Sequence, residues 1–276
     1  MDICLLRLLR IDASGDVNGK HQTSARAGND MRIKGILLAL LLGAVASFSV
    51  HAAGGGDYDH APINIADTAS LQRGAKMFVN YCMGCHSAQY MRYARVGEDL
   101  NLSDEELEQF LIKGDLTVND YMMSSMPEEQ SKEWFGKAPP DLSLTARSRT
   151  EDWIYTFLRS YYLTDEGWNN TLLQNSAMPH VLWELQGVQR PVYETKTNES
   201  GETREVIESL ELEQAGLLSP EEYDAAIVDI TAFLAYVAEP SALERQRLGK
   251  WVLLFLALFT FLAWLLYQEY WKDVKK

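Results

Sequence analysis

The stretch YCMGCH, residues 81–86, places two cysteines three positions apart and a histidine directly after the second. Four chemistries use such a pair: a disulfide, half of a zinc site, a redox-active dithiol, or an anchor for a covalently attached group. A structural zinc site needs a second ligand pair, and no other cysteine follows residue 52. A redox dithiol favours a βαβ setting, whereas a helical pattern precedes this motif. A disulfide across three positions closes too small a loop to stabilise a domain.

The fourth reading agrees with the histidine, because Cys-x-x-Cys-His is the attachment signal for c-type haem. Two thioethers from one turn can hold the two vinyl groups of the porphyrin, and the adjacent imidazole then reaches the iron. We therefore expect one covalently attached haem c. Cys82 and Cys85 would be its anchors, and His86 would be the proximal iron ligand.

A second axial ligand has several candidates in the sequence. Met126 and Met178 each precede a proline, which stiffens the backbone beside them. His180 lies two positions after Met178 and would give a bis-histidine iron. A His/Met pair raises the reduction potential and closes the iron to substrates. From the residues alone, Met126, Met178 and His180 all remain open.

Two apolar stretches flank the body of the chain. Residues 31–52 combine a basic start, an apolar core and small residues, which predicts a secretory signal peptide. Residues 1–30 are interpreted as an over-called start or a disordered extension. Near the other end, residues 251–267 contain 17 residues without a charge, and their flanks reach the ~20 residues that a bilayer crossing needs. We expect a transmembrane anchor with a short cytoplasmic tail in residues 244–276.

The body between them, residues 53–243, is expected to be a periplasmic cytochrome c domain beside a bacterial inner membrane. It carries 32 Asp and Glu against 13 Lys and Arg, a net charge of −19 (13 − 32). Phosphates would be repelled by this excess, so nucleic acid is not an expected partner. A basic protein partner would be attracted through the long-range field.

The element pattern of the body is mostly helical. Strand-like runs around a turn at residues 198–201 predict one β-hairpin within residues 187–213, whose role the sequence leaves open. The fold class is therefore predicted as mainly α: a c-type cytochrome domain with a small β-hairpin insertion and one C-terminal transmembrane helix. A helix after Thr150 is expected to carry Tyr161, and residues 164–186 are expected to form a loop and then a short apolar run. Helix N-caps are predicted at Asp67, Ser103, Thr150, Ser219 and Ser241.

Three further motifs carry a family resemblance. APPDLS at residues 138–143, ARSR at 146–149 and AMPHVL at 177–182 together resemble cytochrome c1, the haem subunit of the cytochrome bc1 complex. The likeness runs from about Asp57 to the C-terminus. It implies that Met178 is the sixth iron ligand, that Arg149 meets a haem propionate, and that Pro140, with the proline before it, forms part of the haem-pocket wall.

The resemblance also implies a function. The chain would be a membrane-anchored electron carrier of a respiratory chain, and not an enzyme in isolation. It would take electrons from a Rieske iron–sulfur protein and pass them to cytochrome c, with cytochrome b and the lipid bilayer as its other partners. The rivals are a haem c subunit of a terminal oxidase, a haem peroxidase with an open iron position, and a protein whose Cys-x-x-Cys-His is accidental.

Overall fold

Helices dominate the chain, as the sequence predicts. The structure is a computed structural model that describes residues 58–197 and 203–274. The predicted signal peptide and the segment before it lie outside the described residues. The helices of the described part are α1 Thr68–Met77, π1 Phe78–Cys82, α2 Tyr93–Leu100, α3 Asp104–Glu106, π2 Leu107–Leu111, α4 Glu128–Phe135, α5 Thr145–Arg149, α6 Glu151–Arg159, α7 Trp183–Gln186, α8 Pro220–Ala238 and α9 Ala242–Tyr270.

The strands of the described part pair in sequence order into three two-stranded antiparallel sheets. One hairpin is predicted from the sequence, and the structure adds one shorter hairpin and a short antiparallel pair whose strands are far apart in the sequence. The fold class is confirmed with that addition. The strands are β1 Ala88–Arg92, β2 Tyr121–Met122, β3 Tyr161–Thr164, β4 Gly167–Asn170, β5 Gly187–Thr197 and β6 Thr203–Ala215.

Side-chain caps begin most of the predicted helices. Asp67 accepts hydrogen bonds from two backbone amides of the first turn of α1. Ser103 and Ser219 each form a reciprocal capping box with the glutamate three residues later, and Thr150 caps α6. Ser241 precedes α9 without a side-chain cap. Short polar side chains at these positions replace the hydrogen bonds that the first backbone amides of a helix lack.

Helix α1 crosses α8 at a point where the two backbones nearly touch. A Cβ atom at Gly74 would lie 2.1 Å from the carbonyl oxygen of Asp229. Next to this contact, Arg73 donates from Nε and Nη2 to the Asp229 carboxylate at 2.6 and 2.9 Å, and Ser70 Oγ donates at 2.5 Å. The Asp229 side chain is only 9% exposed, so these charge-assisted bonds satisfy a buried carboxylate. The crossing fixes α1, which leads directly into the Cys-x-x-Cys-His motif.

A row of stacked rings forms the core beside α6. Trp153 and Phe157 stack with ring centroids 4.8 Å apart, and Phe157 meets Tyr161 edge-on at 5.4 Å. Tyr161 then stacks on His180 at 4.7 Å with an interplanar angle of 4°, and Trp168 packs edge-on against His180 at 5.0 Å. The row therefore joins α6, the β3–β4 hairpin and the segment that contains His180.

The end of α6 differs from the prediction. The helix was expected to include Tyr161, but it ends at Arg159, and Tyr161 begins β3. Ser160 Oγ donates to the Thr156 carbonyl at 2.5 Å, a local bond that competes with helix continuation. The run Tyr161–Thr164 is rich in aromatic and β-branched residues, which favour a strand. Residues 164–186, predicted as a loop and then a short apolar run, contain β4 and α7.

The long hairpin of β5 and β6 is confirmed and extends two residues beyond its predicted end, to Ala215. Its pairing runs from Gly187 opposite Ala215 to Thr197 opposite Thr203, with two register shifts. The turn predicted at residues 198–201 lies outside the described residues. At the base of the hairpin, Gln189 Nε2 donates to the Tyr161 carbonyl at 3.1 Å, which attaches β5 to β3.

Helix α9 fits a membrane anchor. It has 29 residues and is long and apolar enough to cross a membrane by length and composition, and none of its apolar window is buried against the body. At 1.5 Å per residue it spans about 44 Å, longer than the ~30 Å hydrocarbon core of a bilayer. Only residues 239–241 separate it from α8. An ion pair of Arg245 Nε with the Glu239 carboxylate at 2.5 Å bridges this short connection.

Replacing Gly74 with alanine tests the helix crossing. The new methyl group would collide with the α8 backbone, so we expect the free energy of unfolding to fall by about 1–3 kcal/mol. This loss outweighs the roughly 1 kcal/mol that alanine gains in helix propensity. Gly249→Ala is the control, because a Cβ there meets no atom within 4 Å. Denaturant unfolding followed by circular dichroism measures both variants, and equal midpoints would contradict the close crossing.

His180 predicts a dependence of stability on pH. Burial lowers its pKa to about 4, whereas an unfolded histidine titrates near 6.5. As the pH falls below 6.5, His180 takes up a proton in the unfolded chain but stays neutral in the folded chain. The free energy of unfolding should therefore fall by about 2 kcal/mol between pH 7 and pH 5 through this group. In the variant His180→Phe, the free energy of unfolding should lose this dependence on pH. The control His60→Gln replaces an exposed histidine and should keep it. An identical pH profile for all three proteins would exclude the effect.

Candidate cofactor site

The motif lies where α1 widens into a π-helical turn. In π1, the Met83 amide donates to the Phe78 carbonyl at 2.8 Å. The amides of Cys85 and His86 then both donate to the Cys82 carbonyl, at 3.0 and 2.9 Å. Single π-helical turns are often found at functional sites. The turn from Cys82 to His86 places both thiols and the imidazole on one side of the chain, where all three line the same cavity.

The cavity is an open cleft with an empty volume of about 540 Å³. Its lining comes from three separate parts of the chain, and most of the lining side chains are apolar. Apolar walls around a few placed polar groups are typical of cofactor sites. The lining residues are 81, 82, 85 and 86 of the motif, 135 at the end of α4 with 137–140 just after it, and 177–179 and 181 of the segment before α7.

His86 is held by one of its two ring nitrogens. Nδ1 lies 2.7 Å from the Pro140 carbonyl oxygen, and because a carbonyl can only accept, Nδ1 carries the hydrogen. Burial lowers the pKa of the imidazole, although the Pro140 hydrogen bond and Asp141 oppose this. The ring is therefore neutral at pH 7, with a lone pair on Nε2. A hydrogen bond from the far nitrogen to a backbone carbonyl is the usual support of a metal-ligating histidine.

The two cysteines are free thiols, with Cys82 buried and Cys85 partly exposed. Burial raises the pKa of Cys82 to about 12 and also raises that of Cys85. Both are therefore protonated at neutral pH, whereas a metal–thiolate ligand or a reactive thiolate needs a lowered pKa. Thiols that become thioethers have no such requirement.

Met178 is the one of the three open ligand candidates that lines the cavity; Met126 and His180 do not. Its backbone is fixed on both sides. Tyr161 donates its hydroxyl to the Met178 carbonyl at 3.1 Å, and the Met178 amide donates to Ser176 Oγ at 3.3 Å. The His180 ring is turned into the core, where it stacks on Tyr161. The Met178 side chain thereby shares the cavity with His86.

The two residues assigned through the resemblance alone lie in different places. Pro140 is in the cavity wall, and its carbonyl orients His86. Arg149 is exposed and outside the lining, with its guanidinium carbon 5.3 Å above the Trp153 ring. Its contact with a haem propionate stays a prediction.

Several residues of the site were missed by the sequence analysis. Phe135, the last residue of α4, and Lys137, just after it, line the cavity in a region whose sequence lacks a clear periodic pattern. Ser124 Oγ donates to the Gly84 carbonyl at 2.9 Å, and the Ser124 amide donates to Ser87 Oγ at 2.9 Å. These bonds fasten the motif loop to the segment after β2. The two aromatic residues directly before Gly136 are the signal that could have indicated a short helix here. Gly136 itself adopts φ +77°.

The donor set fits a c-type haem. Two protonated thiols, one imidazole nitrogen free to ligate and one thioether share a cleft with apolar walls. A His/Met pair suits iron that exchanges electrons without binding a substrate. The carbonyl of Pro140 supplies the outer hydrogen bond that such a histidine needs.

Comparisons with known proteins agree with this reading. The sequence model of the Cytochrome C1 family matches residues 59–274. Cytochrome c1 of Allochromatium vinosum is 48% identical over 243 residues, which cover 87% of this chain and 98% of that protein. A protein of Nitrosomonas europaea named ammonia monooxygenase gamma subunit is 42% identical over 246 residues, 88% of this chain and 98% of its own length.

A longer relative is also similar. Cytochrome b/c1 of Bradyrhizobium diazoefficiens is 26% identical over 247 residues, which cover 77% of this chain but only 34% of that protein. The family match spans more than half of the chain and includes the motif, the cavity segments and α9. The chain therefore belongs to the cytochrome c1 family, the haem subunits of cytochrome bc1 complexes, whose members carry one covalently bound haem c.

Proposed function

We propose that this chain carries electrons from a Rieske iron–sulfur protein to a cytochrome c within a quinol–cytochrome c reductase. The observation that carries the proposal is the shared cavity of the Cys-x-x-Cys-His motif and Met178. Cys82 and Cys85 would hold the porphyrin through thioethers. His86 Nε2 and Met178 Sδ would ligate the iron. When bound, the haem supplies a one-electron cycle between Fe(III) and Fe(II).

The residues of the chain set the conditions for that cycle. The Pro140 carbonyl fixes the His86 ring, and the Tyr161 hydroxyl fixes the Met178 backbone. These contacts would hold both ligands in place when the iron changes charge. The apolar walls would limit the access of water to the bound haem. Pro140 also contributes to this wall, and Arg149 would bind a propionate of the haem.

The partners are proposed from the anchor and the charge. Helix α9 would pack beside cytochrome b, and the relative named cytochrome b/c1 supports that pairing. The body would lie on the periplasmic side of the bacterial inner membrane, with the C-terminus in the cytoplasm. Residues 53–243 carry a net charge of −19 (13 − 32), which would attract a basic cytochrome c along its field.

Three other functions are less well supported. A haem peroxidase needs an open iron position, whereas Met178 shares the cavity with His86. The second is delivery of electrons to a membrane monooxygenase, and the relative named ammonia monooxygenase gamma subunit favours it. The cytochrome c1 with higher identity favours the reductase. A haem subunit of a terminal oxidase has no support of this kind.

Replacing Met178 with leucine should open one axial position of the iron. We expect the weak far-red band of the ferric protein to disappear. The midpoint potential should fall by on the order of 0.1 V or more, within the roughly 0.8 V range that axial ligands control. Met126→Leu is the matched control, since that methionine does not line the cavity. Optical redox titration measures both; if only Met126→Leu changed the band, Met126 would be the ligand.

Purification in mild detergent tests the partners and the electron path together. A reductase predicts that cytochrome b and a Rieske protein co-purify and that the preparation reduces a basic cytochrome c with quinol. Because exposed charges are screened by salt, this rate should fall steeply as ionic strength rises above the optimum. An acidic cytochrome c is the control and should be reduced slowly at low salt. Recovery of monooxygenase subunits in place of cytochrome b would reject the reductase.

A further inference from the structure

One face of α9, just before its uncharged run begins, combines cationic and apolar side chains. Its positions recur at intervals of three and four residues, so they lie within an arc of about 140° on the helix. Their side chains border a shallow groove that is open to solvent and formed by this helix alone. The residues of this groove are Leu243, Gln246, Arg247, Lys250, Trp251 and Leu254.

The two cations of the groove are available to a ligand. Arg247 and Lys250 are exposed, and neither forms an ion pair among residues 58–197 and 203–274. Arg245 differs from both, because it pairs with Glu239 at 2.5 Å and points about 200° away from Arg247 around the helix. The nearest acidic side chain along the helix is that of Glu244, on the flank of the groove, and it does not pair with Arg247. Two positive charges therefore converge on one face of an otherwise acidic protein.

The apolar half of the groove continues directly toward the membrane. Trp251 is 68% exposed and Leu254 is 62% exposed. Residues 251–267 have no charged side chain, so the bilayer hydrocarbon begins within about one turn of Lys250. Tryptophan prefers the level of the lipid headgroups. The cations thus lie at headgroup depth, and the tryptophan and leucine lie beside the first part of the acyl chains.

We propose that Arg247 and Lys250 bind the phosphodiester of one anionic phospholipid, whose acyl chain packs along Trp251 and Leu254. The guanidinium can donate two parallel hydrogen bonds to phosphate oxygens, and the ammonium adds a point charge. Charge complementarity selects this occupant, because the body with its net charge of −19 (13 − 32) repels anionic lipids elsewhere. The site is independent of the haem and of the electron path.

Native mass spectrometry of the full-length haem-loaded chain in mild detergent tests the site. The probe is dioleoyl phosphatidylglycerol, titrated against the wild type, the double variant Arg247→Gln/Lys250→Gln, and Arg245→Gln. Each cation near an anionic lipid should contribute roughly fivefold in affinity, so the double variant should bind about 25-fold more weakly. Arg245→Gln should stay within about twofold of the wild type, since that charge is already paired.

Three outcomes would overturn the site. The double variant could bind phosphatidylglycerol as tightly as the wild type, or dioleoyl phosphatidylcholine could bind equally well to the wild type. In the purified complex, the double variant could lose a protein subunit while its lipid count stayed the same, which would assign the groove to a protein partner. Haem staining and circular dichroism establish that each variant is folded and loaded. Met178→Leu should bind the lipid normally, which separates this result from a failure of the proposed electron carrier.

Discussion

The crossing of α1 and α8 at Gly74 is the contact on which the geometry of the cavity depends. Because the backbones approach too closely for a side chain at that position, the two helices have one available spacing. The Arg73–Asp229 pair next to it fixes the rotation of α1 as well. Since α1 continues without a break through π1, the crossing determines where both thiols and the imidazole emerge. The pair joins a buried carboxylate to a largely exposed guanidinium, and it links the two helices at their crossing.

A second set of contacts fixes the other two walls of the cavity, which come from the segments that contain Pro140 and Met178. The Pro140 carbonyl orients His86 from one segment, and the Tyr161–His180 stack supports the Met178 segment from another. Both supports act on backbone or on buried rings, and not on flexible surface chains. The fold therefore holds both proposed ligands in place through contacts of its own. Preorganised ligands are what electron transfer requires, because each reorientation would add to the barrier.

Sequence reasoning was strongest where local chemistry decides the structure. The Cys-x-x-Cys-His motif, the caps at Asp67 and Ser219, and the uncharged run of α9 each depend on near neighbours in the chain. Sequence reasoning was weaker where contacts between distant parts of the chain decide the structure. The end of α6 depends on the pairing of Tyr161 with a strand that comes later, and the cavity contribution of Phe135 depends on how α4 returns to the motif. Likewise, Met126 and Met178 have the same local proline signal; the family resemblance selects Met178, and of the two only Met178 lines the cavity.

The three-residue link between α8 and α9 limits how far the body of the protein can move relative to its anchor helix. Even when fully extended, residues 239–241 span only about 10 Å. The ion pair between Arg245 and Glu239 restricts the movement of this link further. A haem domain on so short a link can move only a little relative to its anchor. In the proposed electron path, the partner proteins, and not this domain, would have to cover the distance between donor and acceptor.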